Sequence, residues 1–198
     1  MGAQGTYAMF VEMDDHVVAV GATAGIPDRI NKLRETVADK PIKYAVLTHH
    51  HNDHLVGVTA YEKEGAVVLT SKANEAVVRN SAENGEALKL KFVEDRYVFE
   101  GGQKLEIIDV GPTPHVEHLL VAWLPDQGIL FEADHFPNPA NGRMPPAQPV
   151  TKALAAAIEA NGLDVKKIVG AHSARVATMD DLRTALGTQS KVEMAASP

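Results

Sequence analysis

Apolar residues along this chain fall into short runs whose period switches several times, and the switches predict its elements. Tyr7 to Glu12 and His16 to Val20 read as two strands joined by a turn at Asp14 and Asp15, an opening hairpin. From Pro27 the period lengthens to that of a helix, with Ile30, Leu33 and Val37 on one face, until Lys40 and Pro41 stop it. Tyr44 to Leu47 is an unbroken apolar run of the kind that makes a buried strand, and a helix is expected from about Leu55 to Lys63, ended by Gly65. Ala66 to Thr70 reads as the next strand, with Ser71 as the N-cap of a helix through Val77 and Val78. The first half thus alternates strand with helix.

The second half begins differently. After a polar connector from Asn84 to Lys91 come strands only: Tyr97 to Phe99, Leu105 to Val110, Leu119 to Leu124 and Gly128 to Phe131. Gly101-Gly102 and the stretch Pro125 to Gly128 supply the turns between them. A loop rich in Pro, Asn and Gly runs from Phe136 to Pro149, and Thr151 is the expected cap of an Ala-rich helix reaching Asn161-Gly162. Ile168-Val169 makes a short strand leading to His172, and Met179 to Leu186 a last helix. No repeat or low-complexity linker divides the chain. One α/β domain of mixed strands and helices is expected over 1–188, followed by a disordered tail over 189–198.

Composition narrows the chemistry. At 198 residues, 45% apolar and 23% charged, the chain has the balance of a soluble globular domain. It has no apolar run of the roughly 18 residues that span a bilayer, and its start shows neither a basic nor an apolar leader region. The expectation is a soluble protein with no membrane partner, cytoplasmic, or periplasmic if a leader has been removed. With no Cys, any metal must be held by His and carboxylate side chains. The net charge of −7 and the lack of a Lys/Arg stripe argue against a nucleic-acid partner and leave a small-molecule substrate.

Histidine carries most of the functional signal. Of nine His, only His16 stands apart; four fall between positions 49 and 54, directly after an apolar strand and before a helix. There the strand end, the loop and the first helical turn can converge on one point. His49 and His51, two apart in an extended segment, point to the same side and can share one ion, while Asp53 and His54 can serve a second. The other His also lie at strand ends: His115 after Val110-Gly111-Pro112, His135 beside Asp134 after Phe131, and His172 after Ile168-Val169-Gly170. Ligands gathered along one rim are what a sheet-based metal site needs.

The string Thr48-His49-His50-His51-Asn52-Asp53-His54, an H-x-H-x-D-H motif, resembles the signature of the metallo-β-lactamase superfamily. The later landmarks follow in that family's order: a His ahead of the strand ending in Leu124-Pro125, then Ile129 to Asp134, then Gly170-Ala171-His172. The resemblance covers roughly Tyr7 to Leu186. It implies an αββα sandwich whose sheet edge carries two divalent ions, zinc first, with iron or manganese as alternatives. By that resemblance His49, His51 and His115 hold one ion, Asp53, His54 and His172 the other, and Asp134 bridges them. The family places its third ligand ten residues ahead of the strand-ending Pro, a spacing that His115 meets relative to Pro125 and His118 does not. Val56-Gly57 stands where the family usually has two Gly. The family's leading strands are expected to be missing before Tyr7, leaving an open site, and the active-site Cys of one lactamase branch is absent.

Two such ions share a water and lower its pKa, so that the bridging hydroxide attacks a polarised carbonyl. Asp53 would orient that nucleophile. His118 and His135 are the other candidates for proton transfer, against the plainer reading of both as surface loop residues, and Arg143 is a candidate anchor for a substrate carboxylate. The expected activity is hydrolysis of a lactam, lactone or thioester, possible β-lactamase-like chemistry included. The alternatives are an iron-dependent oxidoreductase or persulfide dioxygenase, a phosphodiesterase, and a metal-binding module without catalysis.

Overall fold

Most central strands of this chain are apolar on both faces because each sheet is covered by helices on one side and by the other sheet on the other. The protein is seen in a computed structural model that describes residues 2–3, 5–37, 40–141 and 143–187. A two-residue ladder of β1 (Gly2–Ala3) with β2 (Thr6–Tyr7) comes first, where the sequence reading has no strand before Tyr7. Then follow β3 (Met9–Glu12), β4 (Val17–Val20), α1 (Ile26–Arg34), β5 (Ile42–Val46), α2 (Val58–Lys63), β6 (Val67–Thr70), α3 (Glu75–Ser81) and β7 (Leu90–Phe92). The second half contains β8 (Arg96–Phe99), β9 (Leu105–Asp109), β10 (Leu120–Leu124), β11 (Ile129–Glu132), α4 (Pro149–Ala160), β12 (Lys167–Gly170), β13 (Ala177–Thr178) and α5 (Met179–Leu186).

The strands form two main sheets. One has the order β3-β4-β5-β6-β7, antiparallel only at its opening hairpin, and the other the order β13-β12-β11-β10-β9-β8, parallel only between β11 and β12. Val18 and Val20 of β4 face inward, where they join Val46, Leu69, Ile107, Leu120 and Phe131 between the sheets. Val17 and Ala19, on the opposite face of β4, pack against Ile26 and Ile30 of α1 and Tyr61 of α2. The second sheet does the same: Val121, Trp123 and Ile168 turn outward onto Leu154 of α4 and Leu182 of α5. The architecture is therefore a four-layer αββα sandwich, as the resemblance implied.

Three local expectations need correction. The stretch read as a polar connector to Lys91 contains β7, whose alternating Leu90-Lys91-Phe92 pairs in parallel with β6. Thr151 does not cap α4. The N-cap is Gln148, Pro149 opens the first turn, and Thr151 is buried inside the helix. Ser71 does cap, but a single 3-10 turn, Lys72–Asn74, that precedes α3. The tail expected over 189–198 lies outside the described residues. Among the described residues no helix is long and apolar enough to cross a membrane.

Of the Val56-Gly57 pair, Val56 is exposed, whereas the packing requires the glycine at Gly57. A Cβ there would stand 2.5 Å from Ile26 Cγ1 and 2.9 Å from Ala22 O, so only glycine lets α2 start this close to the turn after β4. The contact is closed by Gly57 N–H donating to Ala22 O at 2.7 Å. It fixes the helix that follows the His-rich segment.

Candidate metal centre

The carboxyl ends of β5, β9, β11 and β12 open onto one rim, and each is followed by candidate ligands. The two sheets are tied there by Leu120 N–H donating to Thr48 O at 2.7 Å, which sets the start of β10 beside the residue preceding His49. His51 immediately precedes a single 3-10 turn, Asn52–His54, that turns the chain sharply enough to return His54 to the same rim. The loop between β9 and β10 brings in His115. The turn after β11 brings in Asp134, which adopts a left-handed backbone with φ 64°.

The seven expected ligands meet in two adjoining groups. Ligand atoms of His49, His51, His115 and Asp134 lie within 4.8 Å of one another, as do those of Asp53, His54 and His172. Asp134 Oδ2 is 3.2 Å from His49 Nε2, 3.2 Å from His115 Nε2 and 2.9 Å from His54 Nε2, so one carboxylate touches both groups. His172 Nε2 stands 3.0 Å from His54 Nε2, 3.1 Å from Asp53 Oδ2 and 3.5 Å from Asp134 Oδ1. Around a tetrahedral ion with nitrogen ligands at about 2.0 to 2.1 Å, neighbouring ligand atoms would be roughly 3.4 Å apart. The observed spacings suit such an ion.

Burial supports the fit. His49 and His54 are buried, while Asp53 is exposed. His49 Nε2 has no hydrogen-bond partner among the described residues despite its proximity to Asp134, leaving a buried ring nitrogen free for an ion. Burial pushes the His49 imidazole down to about 4, against the opposing pull of Asp134. Burial and the neighbouring His115 and His50 rings also lower His51. Burial alone would raise Asp134, but the His49 and His54 rings close to it outweigh burial and hold the carboxylate well below its usual range. Neutral imidazoles facing an ionised carboxylate are the protonation states that metal binding requires.

The model of the metallo-beta-lactamase superfamily matches residues 7–172. The chain belongs to the metallo-beta-lactamase superfamily. Solved structures share its fold. A metallo-beta-lactamase from Pontibacter korlensis is 24% identical, with 92% of this chain and 86% of that one covered at a TM-score of 0.69. A metallo-beta-lactamase from Pseudomonas aeruginosa in a mono-zinc form is 21% identical, covering 91% and 81% at 0.67. Another, from Hirschia baltica, is 21% identical, covering 91% and 84% at 0.68. A search of curated protein sequences found no match. Superfamily membership and the paired His/Asp groups together support a metal-dependent hydrolase.

The other three expected site residues stand outside these groups. His118 is half-exposed, with Nδ1 2.7 Å from Oδ2 of the buried Asp109 side chain, whose Oδ1 accepts from Gly111 N–H at 2.9 Å. His135 is not a surface residue. Its fully buried ring has Nδ1 2.7 Å from Ala133 O and Nε2 2.9 Å from Thr113 Oγ1. Thr113 Oγ1 accepts in turn from His115 N–H at 3.2 Å, so His135 braces the loop that carries His115. Arg143 lines a depression formed with Met144, Pro145 and the end of α5, apart from both groups.

A cavity of about 260 Å³ opens beside the candidate ligands, between His115, Asp134 and His172 on one side and Phe136, Pro137 and Ser173 on the other. Its remaining wall is Glu132, the last residue of β11, which the sequence reading left just beyond its strand and gave no role. Glu132 is buried, and burial pushes its carboxyl up to about 7. A larger groove of about 450 Å³ between β3 and α1, lined by Tyr7, Met9, Phe10 and Leu33, gathers no candidate ligand.

Proposed function

We propose that the protein hydrolyses an ester or amide bond in a small substrate, of the lactam, lactone or thioester class, with two divalent ions. The observation that carries the proposal is the single carboxylate of Asp134 in reach of His49, His115, His54 and His172 at once. His49, His51 and His115 would hold one ion and Asp53, His54 and His172 the other, with Asp134 shared. Zinc is the metal we assign, because the set is all imidazole and carboxylate and offers each ion three terminal ligands and a shared one. Bound there, the ions would supply Lewis acidity to the scissile carbonyl and an activated water.

The chain's own groups do the rest. The exposed carboxylate of Asp53, 3.4 Å from His54 Nε2, would accept a hydrogen bond from the attacking water and orient it. Phe136 and Pro137 wall the cavity on its apolar side and exclude water from the substrate. The hydrogen-bonded pair of His118 with Asp109 is assigned to proton delivery to the leaving group, and His135, with both ring nitrogens engaged, to holding the His115 loop. A cavity near 260 Å³ sits just below the usual range for small-molecule sites of roughly 300 to 1,000 Å³, which fits a small substrate. The net charge of −7 opposes a large polyanion such as nucleic acid.

The test is a screen of the zinc-loaded protein against a lactam, a lactone, a thioester and a phosphodiester. Turnover of any of the first three, abolished by chelation and restored by zinc, is expected. Turnover of the phosphodiester alone, or a coloured, iron-loaded protein active only in oxidation, would contradict the proposal.

A further inference from the structure

Asp134 is the described non-glycine residue with a left-handed backbone, φ 64°, a conformation that aspartate takes more readily than most side chains but that still calls for support from the surrounding turn. Two residues earlier, Glu132 ends β11 with its side chain buried. Its Oε2 accepts the His135 N–H at 2.8 Å. That donor lies immediately beyond Asp134, so the side chain closes a tight loop around it. Left unpaired, the buried N–H would be costly, which makes the alternative turn unfavourable.

The same residue reaches the second candidate ligand group. In the parallel ladder Glu132 pairs with Gly170, and its backbone oxygen accepts Ala171 N–H at 2.9 Å, one residue before His172. A Cβ on Gly170 would come within 2.4 Å of Glu132 Oε1 and 2.1 Å of Ser173 Oγ. A side chain here would have to displace both Ser173 and the Glu132 carboxylate, while the φ of Gly170 is itself unexceptional. Ser173 Oγ in turn donates to Phe136 O at 3.2 Å, joining the two loops across the cavity.

We infer that Glu132 is a positioning residue for the metal centre, holding Asp134 in the one backbone conformation that lets its carboxylate serve both ligand groups. The inference rests on the reading of Asp134 as the shared ligand and deepens it. Glu132 itself contributes no ligand atom. It acts through the turn.

The test is a double-mutant cycle read by metal binding, not by activity. Metal-free wild type, Glu132→Ala, Asp134→Ala and the double variant are titrated with Co2+ against a chromophoric chelator, and the visible Co2+ bands are recorded. Glu132→Ala should weaken binding roughly tenfold or more and shift the bands, as loss of a supporting residue does. In the Asp134→Ala background the same change should cost less than about twofold, because the group through which Glu132 acts is already gone. Glu132→Gln keeps the volume and one carbonyl acceptor, should show an intermediate loss, and carries the same cycle if the alanine variant does not fold. Equal losses in both backgrounds would show a merely structural role and overturn the inference. So would unchanged affinity in the single variants. If wild type takes up no Co2+, the metal reading fails and this inference with it; if wild type binds two ions and the Glu132 variants match it, only this inference fails.

Discussion

His54 Nε2 and Asp134 Oδ2 are 2.9 Å apart, and with the 3.5 Å approach of His172 Nε2 to Asp134 Oδ1 this contact makes the two candidate ligand groups a single centre. His54 arrives from the turn after β5 in the first sheet and Asp134 from the turn after β11 in the second. The pair therefore also joins the two halves of the sandwich. Replacing Asp134 with Ala removes the shared carboxylate and leaves His49, His115 and His54 facing an empty space. We expect Asp134→Ala to retain no more than one ion per chain and to lose nearly all hydrolytic activity. Metal content and turnover measured on the same preparation check this, and full activity at one ion would indicate a mononuclear mechanism.

His115 and His118 separate by environment. His115 Nε2 is 3.2 Å from Asp134, whereas His118 is held on Asp109 outside both groups. His115→Ala should lower metal affinity roughly tenfold or more. His118→Ala should leave metal affinity within about twofold and act on turnover instead, as a proton-transfer group would. Chelator competition alongside steady-state kinetics distinguishes the two, and a reversal of the effects would move the ligand from one residue to the other.

Acid should destabilise the metal-free protein through His49. Its folded-state value is pushed down by burial to about 4, against an ordinary value of 6.5, so between those pH values the unfolded chain binds a proton that the folded chain refuses. Stability thus falls as pH drops from about 6.5 towards 4, by an amount on the order of 2 kcal/mol at pH 5. Thermal melts of metal-free wild type and His49→Asn from pH 7 to pH 5 test the sign. The wild type should lose more than the variant, and a wild-type midpoint that rose over this interval would contradict the assignment.

Much of this was legible in the sequence, for reasons that can be named. His49, His51, Asp53 and His54 lie within one short segment, so their convergence needs only a strand end and a turn. His115, Asp134 and His172 come from distant elements, and it was the resemblance that assigned them a common site. Short-range patterning found the strong strands but missed β7 and β13, which are three and two residues long and owe their pairing to neighbours in the sheet. It also misplaced the start of α4. Thr151 has the chemistry of a cap, but Pro149 can open a helix two residues earlier, and the Thr151 side chain is buried instead. Glu132 escaped notice, and His135 was read as a proton-transfer candidate or a surface loop residue, because hydrogen bonds to the backbone of turns are reported by no periodicity.

The segment after His172 is anchored by a charge pair that can be tested separately. Arg175 makes two hydrogen bonds to Asp181, at 2.6 and 2.9 Å, and Asp181 closes the capping box at the start of α5 with Thr178. Arg175 and Thr178 lower the Asp181 carboxyl to about 2. A depressed carboxylate contributes stability above its ordinary value of 3.8 that is lost as pH falls towards 2. Asp181→Ala should cost about 1 kcal/mol at pH 7, as loss of a helix cap does. Denaturant titrations should show the difference from wild type shrinking between pH 4 and pH 2; a difference that grew would put the stabilisation elsewhere.

The most direct measurement is metal stoichiometry by elemental analysis of the folded protein, purified without chelators and equilibrated with zinc. Six terminal ligands and one shared carboxylate should take up two ions per chain. A reproducible value near zero with the fold intact would contradict the metal centre and every role assigned around it.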